Sequence, residues 1–359
     1  LDSIYSWRIV PKAIACIPHK QRMDAHRVDY LRAISEAMDY PFQSEDGRDP
    51  SPAHLSLENK IKTYNPIKYW QWTNCCTDAL QIAFHAFCKP GDTVIVPAYG
   101  WRAIVNAPKL MGMQIVYCDI DKTGNLDINQ MIDLIHQHQP SAVLVVHNFG
   151  TLVDVSQLTE ACAKYNVAII EDAAPSFTMG EPYDYKLGTF SDAVCFSFDF
   201  TKSPGCLGAG GAIATNDPLN YERFKTICSH TTSQWGIGTK SYLDTIAAAV
   251  LLKDIELIEQ MQYRQHRVEV ATYYLNKLPY KTLSGKNYIF HRFIILPEKD
   301  EKQTLLKKLK SQKILAKSVF EPNTNSCSRA NEFYEQAIEL PCHQFIDIED
   351  LNSRIEKIL

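Results

Sequence analysis

From about residue 65 to residue 215 the chain alternates short runs of β-branched residues with stretches of helical periodicity. Val94-Ile-Val96, Ile115-Val-Tyr117, Ala142-Val-Leu-Val-Val146 and Val167-Ala-Ile-Ile170 are almost free of polar residues. A strand that is apolar on both faces must be covered on both faces, so these runs predict a mostly parallel sheet with helices on either side. Leu80, Ala83, Phe84 and Phe87 recur at i, i+3, i+4 and i+7, and Pro90-Gly91 ends that helical stripe. A second helical pattern runs from Leu243 through Ile246, Val250 and Ile258 to Leu278, predicting one long bridging helix that leads to a smaller α+β unit from about Phe290. The expected organisation is a large α/β domain over residues 1–235, including an N-terminal helical segment, followed by the bridging helix and a small C-terminal α+β domain over 236–359. A length of 359 residues suits two cores better than one. Tyr40 to Ser51, with Pro41, Gly47 and Pro50, reads as a loop.

Sites in such sheets gather at the carboxyl ends of the strands. Two residues stand there. Asp172 closes the apolar run Val167 to Ile170, and Lys202 follows the strand-like run Asp192 to Phe200 and precedes a glycine-rich stretch, Gly205 to Gly211. A buried lysine loses its proton more readily and becomes a nucleophile. A strand-end carboxylate is the group that would keep a pyridine nitrogen protonated. Together the two residues suggest pyridoxal phosphate (PLP). The segment Thr73-Asn-Cys-Cys-Thr-Asp-Ala-Leu80 offers a seat for the phosphate, because the first amides of the helix, around Cys75, Cys76 and Thr77, have no partner within it. Thr77 or Asn74 acting as a plain helix cap is the alternative for that segment.

Composition excludes several other classes. Thirty-seven basic residues face forty-one acidic ones, with no basic stripe, which argues against nucleic acid as a partner. The longest apolar stripe, near Ile246 to Leu252, is far too short to span a bilayer and is flanked by Asp244 and Lys253-Asp254. The first residues lack the pattern of a secretion signal. Eleven cysteines, an odd number with no Cys-x-x-Cys pair, read as reduced thiols in the cytoplasm. His136 and His138 are too poorly spaced on a helix to share a metal.

Thr77-Asp-Ala-Leu80, Pro90 to Ala98, Val146-His-Asn-Phe-Gly150, Glu171-Asp-Ala-Ala174, Cys195-Phe-Ser-Phe198 with Thr201-Lys202, Gly210 to Asp217 and Glu339-Leu-Pro-Cys-His343 appear in an order that resembles the DegT/DnrJ/EryC1/StrS family of PLP-dependent sugar aminotransferases. The resemblance runs from about residue 50 to the end. It implies the fold type I aminotransferase architecture, a homodimer, and transfer of an amino group from an amino acid, usually glutamate, to a keto group of a nucleotide-linked sugar. Carried over by position, it makes Lys202 the covalent attachment point of PLP, Asp172 the partner of the pyridine nitrogen, Trp101 a stacking ring, and Ser197 a phosphate ligand. The alternation of Ser197 with Phe196, Phe198 and Phe200 places it on the opposite strand face from them.

Three positions depart from the family pattern. Cys75-Cys76 stands where Ser-Gly is usual, and Pro175 stands where a glutamine commonly meets the cofactor's phenolic oxygen, leaving Asn148 as a substitute donor. Lys240 and Tyr242 replace an asparagine and an arginine in a loop that relatives contribute from the other subunit, so Lys240 is read either as a phosphate contact across the dimer or as a solvated side chain. Arg264 and Arg267 on the bridging helix read as solvated, with an acidic substrate as the alternative. Two further functions stay open on the same scaffold. One is a sugar dehydratase, in which relatives replace the lysine by histidine, and the other is a non-catalytic regulatory protein.

Overall fold

In the computed structural model, residues 13–39, 50–179, 184–229, 238–283 and 288–359 are described. The loop expected over Tyr40 to Ser51 therefore falls, up to residue 49, outside the described residues.

The chain enters through β1 (Ile14–Ala15), α1 (His19–Met38) and α2 (Pro52–Lys62). It then alternates β2 (Tyr69–Thr73), α3 (Cys76–Phe87), β3 (Thr93–Pro97), α4 (Ala103–Leu110), β4 (Gln114–Cys118), α5 (Ile128–His138), β5 (Ala142–Val146), α6 (Thr159–Tyr165), β6 (Ala168–Asp172), β7 (Ala193–Ser197), β8 (Gly211–Thr215) and α7 (Pro218–Cys228). These strands form one seven-stranded sheet in the order β2-β8-β7-β6-β5-β3-β4, in which only β8 opposes its neighbours. The apolar runs of the sequence lie at its centre, and every residue of β5 and β7 is buried. One face of the sheet packs Trp70, Trp72, Phe196 and Phe198 against α2, α5 and α8 (Thr245–Gln260). The other packs Ile170, Cys195 and Ile213 against α3, α4 and α7. This is the expected α/β arrangement, and the reason is the one the sequence supplies: strands apolar on both faces need two covering layers.

The predicted long bridging helix is two helices. α8 ends at Gln260, and Gln262, in the left-handed region at φ 52°, turns the chain into α9 (Tyr263–Lys277). The break matters for packing. Leu251 and Ile255 of α8 join the core of the large sheet, whereas Val270, Ala271 and Tyr274 of α9 join a separate core. The elements that follow are β9 (Lys281–Thr282), β10 (Phe293–Leu296), α10 (Lys302–Ser311), β11 (Ile314–Leu315), β12 (Lys317–Ser318), α11 (Ser328–Gln336), β13 (Ile338–Leu340) and α12 (Ile348–Ile355). Ala330 and Phe333 of α11 pack with Tyr99 and Phe149, while β10, α10, β11, β13 and α12 build the second core. Its sheet is antiparallel in the order β12-β13-β10-β9, while β1 returns from the N-terminus to pair with β11. No glycine or proline stands anywhere between Leu243 and Lys277, which is why the sequence shows no break there.

Candidate active site

The carboxyl end of β6 supplies two acidic side chains that point to opposite faces of the sheet, as strand alternation requires. Glu171 is wholly buried and accepts from His147 Nε2 (2.8 Å), the Tyr185 hydroxyl (2.8 Å), the Gly188 amide (3.0 Å) and the Ser191 hydroxyl. His147 Nδ1 accepts from the Val153 amide at 3.0 Å, so the ring proton sits on Nε2 and points at Glu171. Four donors on one carboxylate offset its burial and anchor the strand end. Asp172, on the other face and 4% exposed, accepts from the Ala174 amide at 3.0 Å and faces the Cys76 thiol at 3.8 Å. Burial pushes its carboxyl above the ordinary range, while the Ala174 amide and the charge of Lys202 pull the other way.

Lys202 lies in a tight loop after β7. Its amide donates to the Asp199 carbonyl at 2.8 Å, and Asp199 Oδ1 accepts from the amide and hydroxyl of Thr201 at 2.9 and 2.7 Å. Phe200 and Cys206 close the loop by donating to the Gly208 and Phe198 carbonyls. Burial, aided by the positive charge of Arg292, holds the Lys202 ammonium below the usual lysine range. Such an amine loses its proton more easily than a surface lysine, as a nucleophile at this place requires.

The proposed phosphate seat is assembled across Gly211. Gly211 pairs with Ser197 of β7 on one side and with Thr73 of β2 on the other, and a Cβ on it would lie 2.6 Å from the Cys76 amide nitrogen. Glycine here brings the first turn of α3 against the strand that carries Ser197. No side-chain hydrogen bond caps α3, so the plain-cap alternative for Thr77 and Asn74 does not describe this helix. Cys75, the cap residue, is half-buried, as is Thr77, while Cys76 is buried beside Asp172. Ser197 faces the hollow that holds Lys202, away from Phe196 and Phe198, which stack in the opposite core.

Lys202 lines two small adjoining hollows. Arg267 and His291 line both, Arg264 lines the smaller and Arg292 the larger; neither hollow has an Asp or Glu among its described lining residues. This corrects the expectation that Arg264 and Arg267 are solvated. Arg267 is 5% exposed, and Arg264 donates to the Phe177 carbonyl at 2.7 Å and the Ser203 carbonyl at 3.4 Å. Docking of α9 onto the small core directs its first turn toward the Lys202 loop. Burial and the surrounding charges of Arg292, Lys202, Arg267 and Arg264 push His291 well below the ordinary histidine range.

The remaining predicted positions are placed as follows. Trp101 follows the end of β3, is 62% exposed, and meets Phe320 edge-on at 5.2 Å, so most of the indole is open. Lys240 is exposed, with its ammonium 5.6 Å from the Tyr242 ring. Its neighbour Ser241 donates to Asp78 at 2.7 Å and accepts from the Asn74 amide at 2.9 Å, tying this segment to the first turn of α3. Asn148 is not the spare donor expected: its amide donates to the Tyr99 and Gly124 carbonyls at 3.3 and 3.1 Å. Pro175 lines the smaller hollow. Among the described residues no group of three metal-ligating side chains occurs, and no helix is long and apolar enough to cross a membrane.

Sequence reasoning missed His291, Arg292 and the Arg22–Asp254 pair. Arg22 lies on α1, 180 residues from Lys202, and donates to the Lys202 carbonyl at 2.9 Å. No local pattern marks it; the only signal is an arginine on the same helix face as His26 and Tyr30 at spacings of four residues.

The model of the DegT/DnrJ/EryC1/StrS aminotransferase family matches residues 33–359. The UDP-2-acetamido-2-deoxy-3-oxo-D-glucuronate aminotransferase of Pseudomonas aeruginosa is 35% identical over 58% of this chain and 59% of its own length, less than two thirds of that relative. The GDP-perosamine synthase of Escherichia coli O157:H7 is 30% identical over 80% of this chain and 81% of its own length. In three dimensions the fold matches DesV from S. venezuelae, solved with a ketimine intermediate, at a TM-score of 0.84, 24% identity and coverage of 97% and 98%. It also matches NtdA of Bacillus subtilis, solved with bound PMP, at a TM-score of 0.84, 20% identity and coverage of 99% and 86%.

Proposed function

Because the chain belongs to the DegT/DnrJ/EryC1/StrS aminotransferase family, we propose that it moves an amino group from an acidic amino acid, glutamate in the first instance, to a keto group of a nucleotide-linked sugar. The observation that carries this reading is the meeting of Lys202 with Asp172 at the ends of β6 and β7, beside the uncapped start of α3. Pyridoxal phosphate is the cofactor, and when bound it supplies the electron sink that lets a proton leave the carbon next to the transferred nitrogen.

The residues present suit that group. Lys202 would attach it, Asp172 would hold its ring nitrogen protonated, and the amides of Cys76 and Thr77 with the Ser197 hydroxyl would take the phosphate at the positive end of α3. The open indole of Trp101 is offered as the stacking ring. The amine of Lys202, when free, would be the base and acid that moves the proton, and its depressed basicity suits both directions. Arg264, Arg267 and Arg292 line the hollows with Lys202, which supports a donor or sugar bearing a carboxylate.

Lys240 reaching a neighbouring subunit's phosphate in a homodimer rests on its exposure and on the place of its loop beside α3. A cytoplasmic location is supported by eleven cysteines that are all unpaired. The division into two domains rests on the two separate cores, with the border best drawn between α8 and α9.

The test is amino transfer itself. Protein reconstituted with PLP is expected to convert glutamate to 2-oxoglutarate in one turnover, then to aminate one member of a panel of UDP-, dTDP- and GDP-linked keto-sugars, read by mass spectrometry. Loss of water from the sugar without gain of nitrogen would show a dehydratase, and no reaction with any amino acid would favour the regulatory reading.

A further inference from the structure

Three elements distant in sequence converge behind the Lys202 loop. The Arg22 guanidinium, 5% exposed, donates to the carbonyls of Phe200 (3.3 Å), Lys202 (2.9 Å) and Gly205, and pairs with Asp254 at 2.9 Å. Asp254, on α8 and 3% exposed, accepts from the Gly205 amide at 3.0 Å and from the Tyr30 hydroxyl at 2.5 Å. Tyr30 in turn accepts from Arg22 Nε at 3.1 Å. The planar fork of an arginine, with five donors in fixed directions, serves several carbonyls and a carboxylate at once. The loop is therefore gripped through its carbonyls from α1 and through its amide from α8. Arg22 and Tyr30 both precede residue 33, where the family match begins.

We infer that Arg22, locked by Asp254 and Tyr30, is a positioning residue that sets where the Lys202 amine stands, making α1 a working part of the active site. Arg22 acts through the backbone: it fixes the carbonyl of Lys202 itself and of residues two before and three after it. The side chain of Lys202 is then left to project into the hollows from a rigid base. Because the grip is an ion pair shielded from water, it resists salt far better than a surface pair. The inference rests on the reading that Lys202 bonds to the cofactor, and its test separates the two.

Arg22→Lys keeps the charge and loses the fork; Asp254→Asn keeps the shape and loses the charge, and serves if the first variant does not fold. In the apoprotein, hydrogen exchange of the peptide spanning residues 198–208 is expected to rise at least tenfold in either variant, while peptides from β5 and β6 are unchanged. Reductive trapping of PLP on Lys202 by borohydride, followed against pH, is expected to shift its midpoint upward as the amine gains access to water. The single-turnover rate with glutamate is expected to fall about tenfold to a hundredfold, the scale of a small misplacement of a reacting group. Unchanged exchange and an unchanged trapping midpoint in folded Arg22→Lys would overturn the inference while leaving the cofactor reading intact. Trapping on wild-type protein that lands elsewhere than Lys202 would overturn both.

Discussion

The sheet side of Lys202 and its outer side are built on different terms. Toward the sheet stand Asp172, Ser197 and the start of α3, all at the ends of elements whose neighbours in sequence already announce them. On the outer side stand Arg22, Arg267, His291 and Arg292, gathered from α1, α9 and the approach to β10. The sheet side offers dipoles and one carboxylate; the outer side offers guanidinium groups, of which Arg22 and Arg292 are paired with Asp254 (2.9 Å) and Glu339 (2.7 Å).

Substitutions on the two sides should therefore fail differently. Asp172→Asn, on the sheet side, is expected to slow single-turnover amino transfer about 10²–10³-fold with little change in donor affinity, as for loss of one preorganised charge. A rise in donor KM with kcat intact would break the comparison. Arg267→Gln, on the outer side, is expected to raise the KM for glutamate about 10–100-fold, matching loss of one charge-assisted hydrogen bond, with a smaller effect on kcat. Steady-state kinetics with glutamate and with a neutral amino acid would sharpen the assignment, because only the acidic donor should suffer if a side-chain carboxylate is read there.

Gly211→Ala tests the seat. Its new methyl would meet the backbone of Cys75 and Cys76, which cannot swing aside as a side chain can. A loss of about 1–3 kcal/mol of stability is expected, the cost of overpacking, together with weaker PLP binding by fluorescence titration.

On the stability of the apoprotein, as distinct from activity, which it should abolish, Lys202→Met should give the smallest change, and in the opposite direction. A lysine whose folded pKa is depressed binds fewer protons folded than unfolded between the two values, so stability rises with pH through that window. Holding Lys202 in place thus opposes folding at neutral pH. Removing it is expected to raise the melting temperature of the apoprotein at pH 7, with the gain shrinking toward pH 10. A melting curve of the variant that falls below wild type at every pH would contradict this.

Much of this molecule is legible along the chain. Buried strands such as Ala142–Val146 reveal themselves because being covered on both faces removes polar residues from every position. Asp172 and Lys202 are legible because each follows such a strand directly, and the chain between is too short to place them elsewhere. The break between α8 and α9 is not legible, since Gln262 enters the left-handed region with no glycine or proline near it to mark the turn. Neither is the burial of Arg267, because a charged residue on a helix looks the same in sequence whether it faces water or a hollow. Glu171 shows the same limit: its sequence neighbours say that it ends a strand, but not that His147, Tyr185, Gly188 and Ser191 converge on it.

Local order, then, was determined by the sequence alone: the alternation of strands and helices, the α/β class, and the pairing of a strand-end acid with a loop lysine. The tertiary structure decided what surrounds that pair. Contacts such as Arg22 with the Lys202 carbonyl or Asp254 with the Gly205 amide join residues 180 and 49 positions apart. Periodicity reports only which way a side chain leaves its own element, whereas the partner it meets depends on how whole elements pack.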